Sequence, residues 1–375
     1  MKFETVKLGD FVTITMGQSP KSEFYNTNGD GIPFLQGNRT FGLKYPNFDT
    51  YTTKVTKEAK AGDIIMSVRA PVGDLNITPI NMCLGRGVCS LRANNNNQDF
   101  LFYLMKYYMP LLLNKESGTV FGSVNKNDIN NLEINLPPLE TQKKIASILS
   151  ALDDKIELNN KINENLEMQA QAIYQNMIIK NASDNWICGK LSDIAVITMG
   201  QSPKGDTYNE NGVGTVFYQG RAEFSFRFPT RRLFTTEPKR MAEENDVLMS
   251  VRAPVGDLNI STESCCIGRG LAAIHSKNSH QSFVLYTMYA VQEQLNIFNG
   301  EGTVFGSINK DSLNNIDVVI PDKETLDKFE SIVAPMDAII RNNYDQNCKL
   351  QSIRDTLLPK LMNGEIDVDD VQVKE

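Results

Sequence analysis

Two short stretches carry side chains suited to reading nucleic-acid bases. Gln36-Gly37-Asn38-Arg39 and Gln219-Gly220-Arg221-Ala222 each begin with the same Gln-Gly pair and then diverge in polar residues. Arginine pairs bidentately with guanine, and glutamine or asparagine with adenine, so such a turn is a candidate base reader. Downstream, Lys44, Arg227, Arg231 and Arg232 are candidates for attraction to the phosphate backbone. Residues 221–240 hold six basic side chains against two acidic ones, and residues 36–60 hold five against two. Arg69, Arg252, Arg86 and Arg269 sit in segments that occur twice with the same wording, which suits sequence-independent phosphate contacts. Ion pairs with Asp74 and Asp257, or other local carboxylates, are the alternative for these four.

Catalytic chemistry is harder to place. The sequence has no GxxxxGK(S/T) phosphate loop, no glycine-rich nucleotide fingerprint after a strand, and no Asn/Asp-Pro-Pro-aromatic tetrapeptide of an amino-methyltransferase. Asp322 with Glu324 offers carboxylates for a metal, but a helix start explains both. The six cysteines (Cys83, Cys89, Cys188, Cys265, Cys266, Cys348) form no CxxC pair, and His275 and His280 lack zinc partners at ligand spacing. They read as reduced and mostly buried, with Cys265 and Cys266 alternating between core and surface on one strand. No protein-bound metal or cofactor is expected.

The elements that must position these residues come in duplicate. SVRAPVGDLNI at 67–77 returns at 250–260, TMGQSPK at 15–21 returns at 198–204, and GRG at 85–87 returns at 268–270, all offset by 183. GTVFGSVNK at 118–126 returns as GTVFGSINK at 302–310, offset by 184. Repeats that stack into solenoids run to about 20–50 residues, so a unit this long is a duplicated domain with its connector. Such a chain can imitate a symmetric dimer with a pseudo-twofold axis.

Within each unit two textures alternate. Residues 1–138 and 181–321 mix short β-prone runs with glycine, proline and asparagine and one apolar helical stretch, predicting mixed α/β domains. Residues 139–180 and 322–375 begin as long amphipathic helices. Ile145, Ile148, Leu149, Leu152, Ile156, Ile162, Leu166 and Ile173 form one apolar stripe. Ile332, Met336, Ile339, Ile340, Leu350, Ile353, Leu357 and Leu361 form the other. Asn159 and Asn343 interrupt the two stripes at equivalent places, either as buried register-setting polar residues or as exposed ones. Asp322 is the expected N-cap of the second helix, Pro335 should kink or interrupt it, and Pro359 with Gly364 should stop it. At about 1.5 Å per residue, roughly 38 residues make a rod of about 57 Å. The simplest arrangement is an antiparallel coiled coil with a domain at each end.

The stretch LPPLETQKKIASILSALDDKIELNNKINENLEMQAQAIY (136–174) closely resembles the central helix of type I restriction-modification specificity subunits, the HsdS family. TLLPKLMNGEIDV (356–368) resembles that family's closing segment, and the order domain, helix, domain, helix covers the whole chain. The resemblance implies a non-catalytic subunit in which each domain is a target recognition domain for one half of a split double-stranded DNA site. It implies further that the helices set the gap and dock two adenine-N6 methyltransferase subunits, with Ile145, Leu149, Leu152, Ile156, Asn159, Ile162 and Leu166 on one helix and Ile332, Met336, Ile340, Asn343, Leu350 and Leu357 on the other. Restriction/translocase subunits would join that core, and S-adenosylmethionine, ATP and Mg would belong to the partners. The second helix opens as PDKETLDKFESIV in place of a fuller PPLEEQ pattern.

The formal net charge of −7 is unevenly spread: +2 over 1–138, −1 over 139–180, −3 over 181–321 and −5 over 322–375. No run of about 18 apolar residues is available to span a membrane, and a cytoplasmic location is expected. Two other readings fit a two-headed chain: a protein-binding scaffold without DNA recognition, and an enzyme with a cryptic site in the globular domains.

Overall fold

A computed structural model of the chain describes residues 3–114, 122–300 and 306–368. The GTVF halves of the repeated segment, at 118–121 and 302–305, and the tail from 369 lie outside the described residues. The chain divides into two compact units, Met1–Leu158 with Gln346–Glu375, and Asn159–Asp345. Each unit therefore takes in one globular segment and part of both long helices.

In the first unit a four-stranded antiparallel sheet runs in the order Val12–Met16, Val88–Ala93, Ile64–Ser67, Leu75–Ile77. A five-stranded sheet runs in the order Tyr25–Asn26, Tyr51–Thr52, Ile32–Leu35, Met82–Leu84, Glu58–Ala59, with one parallel pairing between Ile32–Leu35 and Met82–Leu84. The run DIIMSV makes the central strand because side chains two apart point to the same face. Ile64 and Met66 enter a core with Phe100, Leu101, Leu104 and Met105 of the Gln98–Asn114 helix. Ile65 enters a second core with Leu35, Met82 and Leu84 of the other sheet. A strand with both faces covered reads as a continuous apolar run, and each fully buried Ile or Met contributes about 1.5–3 kcal/mol.

The second unit repeats this plan. Its sheets run Ala195–Met199, Leu271–Ser276, Val247–Ser250, Leu258–Ile260 and Tyr208–Asn209, Phe234–Thr235, Thr215–Tyr218, Cys265–Ile267, Met241–Ala242. Val247 and Met249 face one core and Leu248 the other. Cys265 and Cys266 are both fully buried, which corrects the expected core-to-surface alternation: their strand lies inside the sheet and is covered on both faces. Cys188 and Cys348 are exposed, and all six cysteines are free.

The long helices span Leu139–Tyr174, continued by a π-helical turn Gln175–Lys180, and Lys323–Met362. The Asp322 carboxylate accepts from the Thr325 N–H at 2.8 Å, the N-cap expected of it, and from the Trp186 indole N–H at 3.0 Å. The Lys323–Met362 helix continues through Pro335 without interruption. Pro335 is exposed, so the carbonyl it leaves without a partner is on the solvent side. The helix also includes Pro359 and ends before Gly364, whose φ is 77°.

Within each unit the helices run antiparallel. In the first, Arg354 donates to Asp153 at 2.6 Å, while Ile145 and Leu149 share a core with Leu361 and Met362. In the second, Asn343 Nδ2 donates to Asn163 Oδ1 at 2.8 Å, while the Tyr174 and Phe329 rings lie 5.8 Å apart. The inward positions of the second helix alternate by three and four without a break: Leu326, Phe329, Val333, Met336, Ile340, Asn343, Asn347, Leu350, Arg354, Leu357 and Leu361 are all buried or half-buried. This heptad pattern corrects the apolar stripe at Ile332, Ile339 and Ile353, which are 40%, 47% and 47% exposed. Asn159 and Asn343 are buried, deciding between their two readings.

Candidate nucleic-acid interface

The two Gln-Gly turns are fixed by backbone crossings that only glycine permits. Gly85 N–H donates to the Leu35 carbonyl at 2.8 Å and Gly87 N–H to the Gln36 carbonyl at 2.9 Å. A Cβ at Gly85 would stand 2.5 Å from Gln36 Cα, and one at Gly268 would stand 2.8 Å from Gln219 Cα. Between these glycines the Arg86 N–H donates to Ser19 Oγ at 3.1 Å, and the Arg269 N–H to Ser202 Oγ at 3.2 Å. GRG with TMGQSP is thus a packing device whose product is an exposed Gln36 beside an exposed Arg86, and an exposed Gln219 beside an exposed Arg269.

The SVRAPVGD segment closes on itself. Ser67 Oγ donates to the Pro71 carbonyl at 2.8 Å and accepts from the Asp74 N–H at 2.9 Å, and Ser250 repeats both bonds at 2.7 and 2.9 Å. This leaves Arg69 and Arg252 exposed. The carboxylates of Asp74 and Asp257 do not go to these arginines. Asp74 accepts from Asn38 Nδ2 at 2.5 Å, and Asp257 pairs with Arg221, the residue equivalent to Asn38. Among the described residues, Arg69, Arg86, Arg252 and Arg269 have no carboxylate partner.

The segment after each Gln-Gly turn is tethered by an asparagine that the sequence analysis did not single out. Buried Asn76 exchanges two hydrogen bonds with the Gly42 peptide at 3.0 and 2.9 Å, and Asn259 does the same with Ser225 at 3.3 and 2.9 Å. Two residues on, Lys44 and Arg227 turn toward the long helices. Lys44 Nζ meets Asp154 at 2.9 Å and Glu157 at 3.8 Å. Burial works against its charge, yet the Asp154 hydrogen bond and the surrounding anions hold its pKa above the usual lysine value.

Arg227 is the clear correction: expected to attract DNA, its side chain is 1% exposed, paired with Asp337 and 3.1 Å from the Tyr286 hydroxyl. Burial penalises its charge, and the Asp337 carboxylate more than restores it, so the guanidinium stays charged. Asp153 and Asp337 are equivalent at offset 184, and each accepts from a tyrosine of its own domain, Tyr103 at 2.8 Å and Tyr286 at 2.9 Å. The signal that would have found this network was there: all four residues recur at the repeat offset.

The candidate arginines Arg39, Arg231 and Arg232 are exposed and paired. Arg39 Nη2 donates to both Asp49 oxygens, at 2.9 and 2.7 Å, and holds that carboxyl below the usual aspartate range. Arg231 pairs with Glu263 at 2.5 Å, and Arg232 with Glu223 at 2.6 Å and Glu210 at 3.3 Å. The structure therefore brings Gln36, Asn38, Arg39, Arg69 and Arg86 together in the first domain. It brings Gln219, Arg221, Arg252 and Arg269 together in the second, on connections that meet at the glycine crossings. Among the described residues, no group of three His, Cys, Asp or Glu could hold a metal ion.

A family model for the type I restriction modification DNA specificity domain matches residues 1–168 and again 183–351. The putative type I restriction enzyme MjaX specificity subunit of Methanocaldococcus jannaschii is 45% identical over 175 residues, 46% of this chain and 41% of that protein. The MjaIX specificity subunit of the same organism is 24% identical over 414 residues, covering 98% of this chain and 94% of its own length. The crystal structure of a type I restriction-modification S subunit from M. genitalium superposes with a TM-score of 0.61 at 18% identity over 96% of both chains, a likeness of fold. Matched in both of its halves, this chain belongs to the type I restriction-modification DNA specificity family.

Proposed function

We propose that this chain is the sequence-reading subunit of a type I restriction-modification complex, each globular domain reading one half of a bipartite duplex target. The observation that carries the reading is a repeated frame holding unlike side chains. Gln36 and Gln219 stand on the same glycine crossing, while Asn38 faces Asp74 where Arg221 faces Asp257. Phosphate contacts position a protein on DNA and base contacts specify the sequence. Arg69, Arg86, Arg252 and Arg269 suit the first task, and Gln36, Asn38, Arg39, Gln219 and Arg221 the second.

The chain does not catalyse; it selects the site for others. The long helices set the half-site spacing and dock two methyltransferase subunits, and restriction/translocase subunits complete the assembly. Ile332 and Ile339, exposed and seven residues apart, support a docking face on the part of the second helix that belongs to the second unit. S-adenosylmethionine, ATP and Mg are assigned to those partners, with none bound by this chain. The complex works on DNA in the cytoplasm, and among the described residues no helix is long and apolar enough to cross a membrane.

Exchanging residues 1–138 for the corresponding segment of a relative and mapping methylated adenines across a genome tests the proposal. One half of the recognised sequence should change and the other persist. Altered bases in both halves, or methylation at unchanged sites, would overturn it.

A further inference from the structure

We propose that Asp49 and Asp257 are specificity determinants that stand in for DNA while the protein is free, holding reading-loop arginines until a matching acceptor displaces them. The inference rests on the DNA-reading function above. The arginines of this surface fall into two classes. Those at identical positions of the repeat, Arg86 and Arg269 among them, have no carboxylate partner among the described residues. In the divergent loops, by contrast, Arg39 pairs with Asp49, Arg221 with Asp257, Arg231 with Glu263 and Arg232 with Glu223, and among the described residues only Arg240, at the far end of the second loop, has no carboxylate partner.

Position 49 of the first domain is equivalent to position 232 of the second, and its sign reverses from Asp49 to Arg232. The partner reverses with it, from Arg39 in one domain to Glu223 in the other. An ion pair across this loop thus occurs in both domains, although neither member is shared. Asp257, for its part, is held by its backbone to Ser250, leaving its side chain to Arg221.

The Arg39–Asp49 and Arg221–Asp257 pairs are built to exchange, whereas Glu223 is buried and holds Arg232 more firmly. Arg39 and Asp49 are 74% and 49% exposed at their side chains, so no burial locks them, and exposed pairs are weak. Arg39 gives both Asp49 oxygens a single nitrogen, Nη2, and Arg221 meets Asp257 through Nη1, so neither pair uses the two-nitrogen fork that guanine engages through O6 and N7. A random duplex, presenting phosphates alone, must compete with the carboxylate for each guarded arginine. A correct base pair adds two acceptors in fixed geometry and wins that competition. The carboxylates therefore weaken binding to wrong sequences more than binding to the right one.

The test uses the full chain in complex with its methyltransferase subunits, with Asp257→Asn and Asp49→Asn made separately. Binding to a duplex carrying the mapped target and to a scrambled duplex is followed by fluorescence anisotropy across a salt series. Each variant should bind the scrambled duplex several-fold more tightly, with a logarithmic salt slope steeper by about 0.9, as one more cation becomes available. Target affinity should rise less, so that the discrimination ratio falls. Adding Arg221→Gln to Asp257→Asn should abolish the gain, because the freed cation is then gone. Equal gains on both duplexes, or no change in scrambled-duplex affinity or slope, would overturn the inference. A wild-type complex that fails to discriminate the two duplexes would overturn the functional reading and this inference with it.

Discussion

Replacing Arg227 with methionine separates a structural cation from a DNA contact. The guanidinium is buried between Asp337 and Glu167 and lies 5.7 Å from the Tyr286 ring centroid. Its loss leaves two largely buried carboxylates without their cation, and breaking such a pair from one side costs about 3–5 kcal/mol. The lower end applies, because the Tyr286 hydroxyl still donates to Asp337 at 2.9 Å and the Tyr289 hydroxyl to Glu167 at 2.9 Å. Methionine preserves the aliphatic stem and meets the same φ of 64°, so the backbone contributes little to the difference. For a unit of this size about 3 kcal/mol corresponds to a melting point lower by about 6–12 °C. Calorimetry of the full chain reads that shift, and a salt series on duplex DNA reads the other half of the argument. The salt slope should match wild type, since a buried guanidinium releases no counterion. A variant within about 1 kcal/mol of wild-type stability whose slope flattens by about 0.9 would refute the reasoning and return Arg227 to the DNA surface.

Three further outcomes are expected. Asp322→Ala removes the N-cap bond to Thr325 and the indole bond from Trp186, and should lower the urea midpoint with the slope of the transition unchanged. Asn343→Leu strands the Asn163 acceptor at a cost of about 1–3 kcal/mol, and adding Asn163→Leu should recover most of it, so a double-mutant cycle that shows simple additivity would contradict the pairing. The Arg39 hydrogen bonds depress the Asp49 carboxyl, so the pair is fully present above the ordinary carboxyl range and is lost as pH falls through the lowered value. Carbon-detected NMR should place the Asp49 midpoint below about 3.9, and a midpoint at or above it would contradict the bond.

Much of the exposed surface around the glycine crossings was legible because duplication acts as an internal comparison. Identical words at a constant offset marked Arg69, Arg86 and the glycines, and divergence after Gln36 and Gln219 marked the variable side chains. Lys44 and Arg227 were misplaced for a physical reason. A cation two residues past a turn looks the same in sequence whether it faces a phosphate or a helix carboxylate, and only the partner decides. That partner lay about 110 residues away, at Asp154 for Lys44 and at Asp337 for Arg227. The carboxylate mates of Arg39 and Arg221 were missed likewise, since counting charges over a window hides which charges touch.

The helices show where pattern reading by residue type gives out. Isoleucines are the strongest apolar signal in the second helix, and following them selects the fully buried Ile340 together with Ile332, Ile339 and Ile353, which face outward. The inward phase is carried instead by spacing, and it admits Asn343, Asn347 and Arg354 among the apolar residues. Polar groups at seam positions weaken the pairing but restrict it, because shifting the register would leave buried amides and a guanidinium unmatched. Arg354 finds Asp153 and Asn343 finds Asn163 in the antiparallel arrangement observed within each unit. A subunit that must keep its half-site spacing constant gains more from a seam with one acceptable register than from a tighter, uniformly apolar one. Apolar content alone therefore mixed three outward isoleucines into a stripe whose other members, Met336, Ile340, Leu350, Leu357 and Leu361, do face inward.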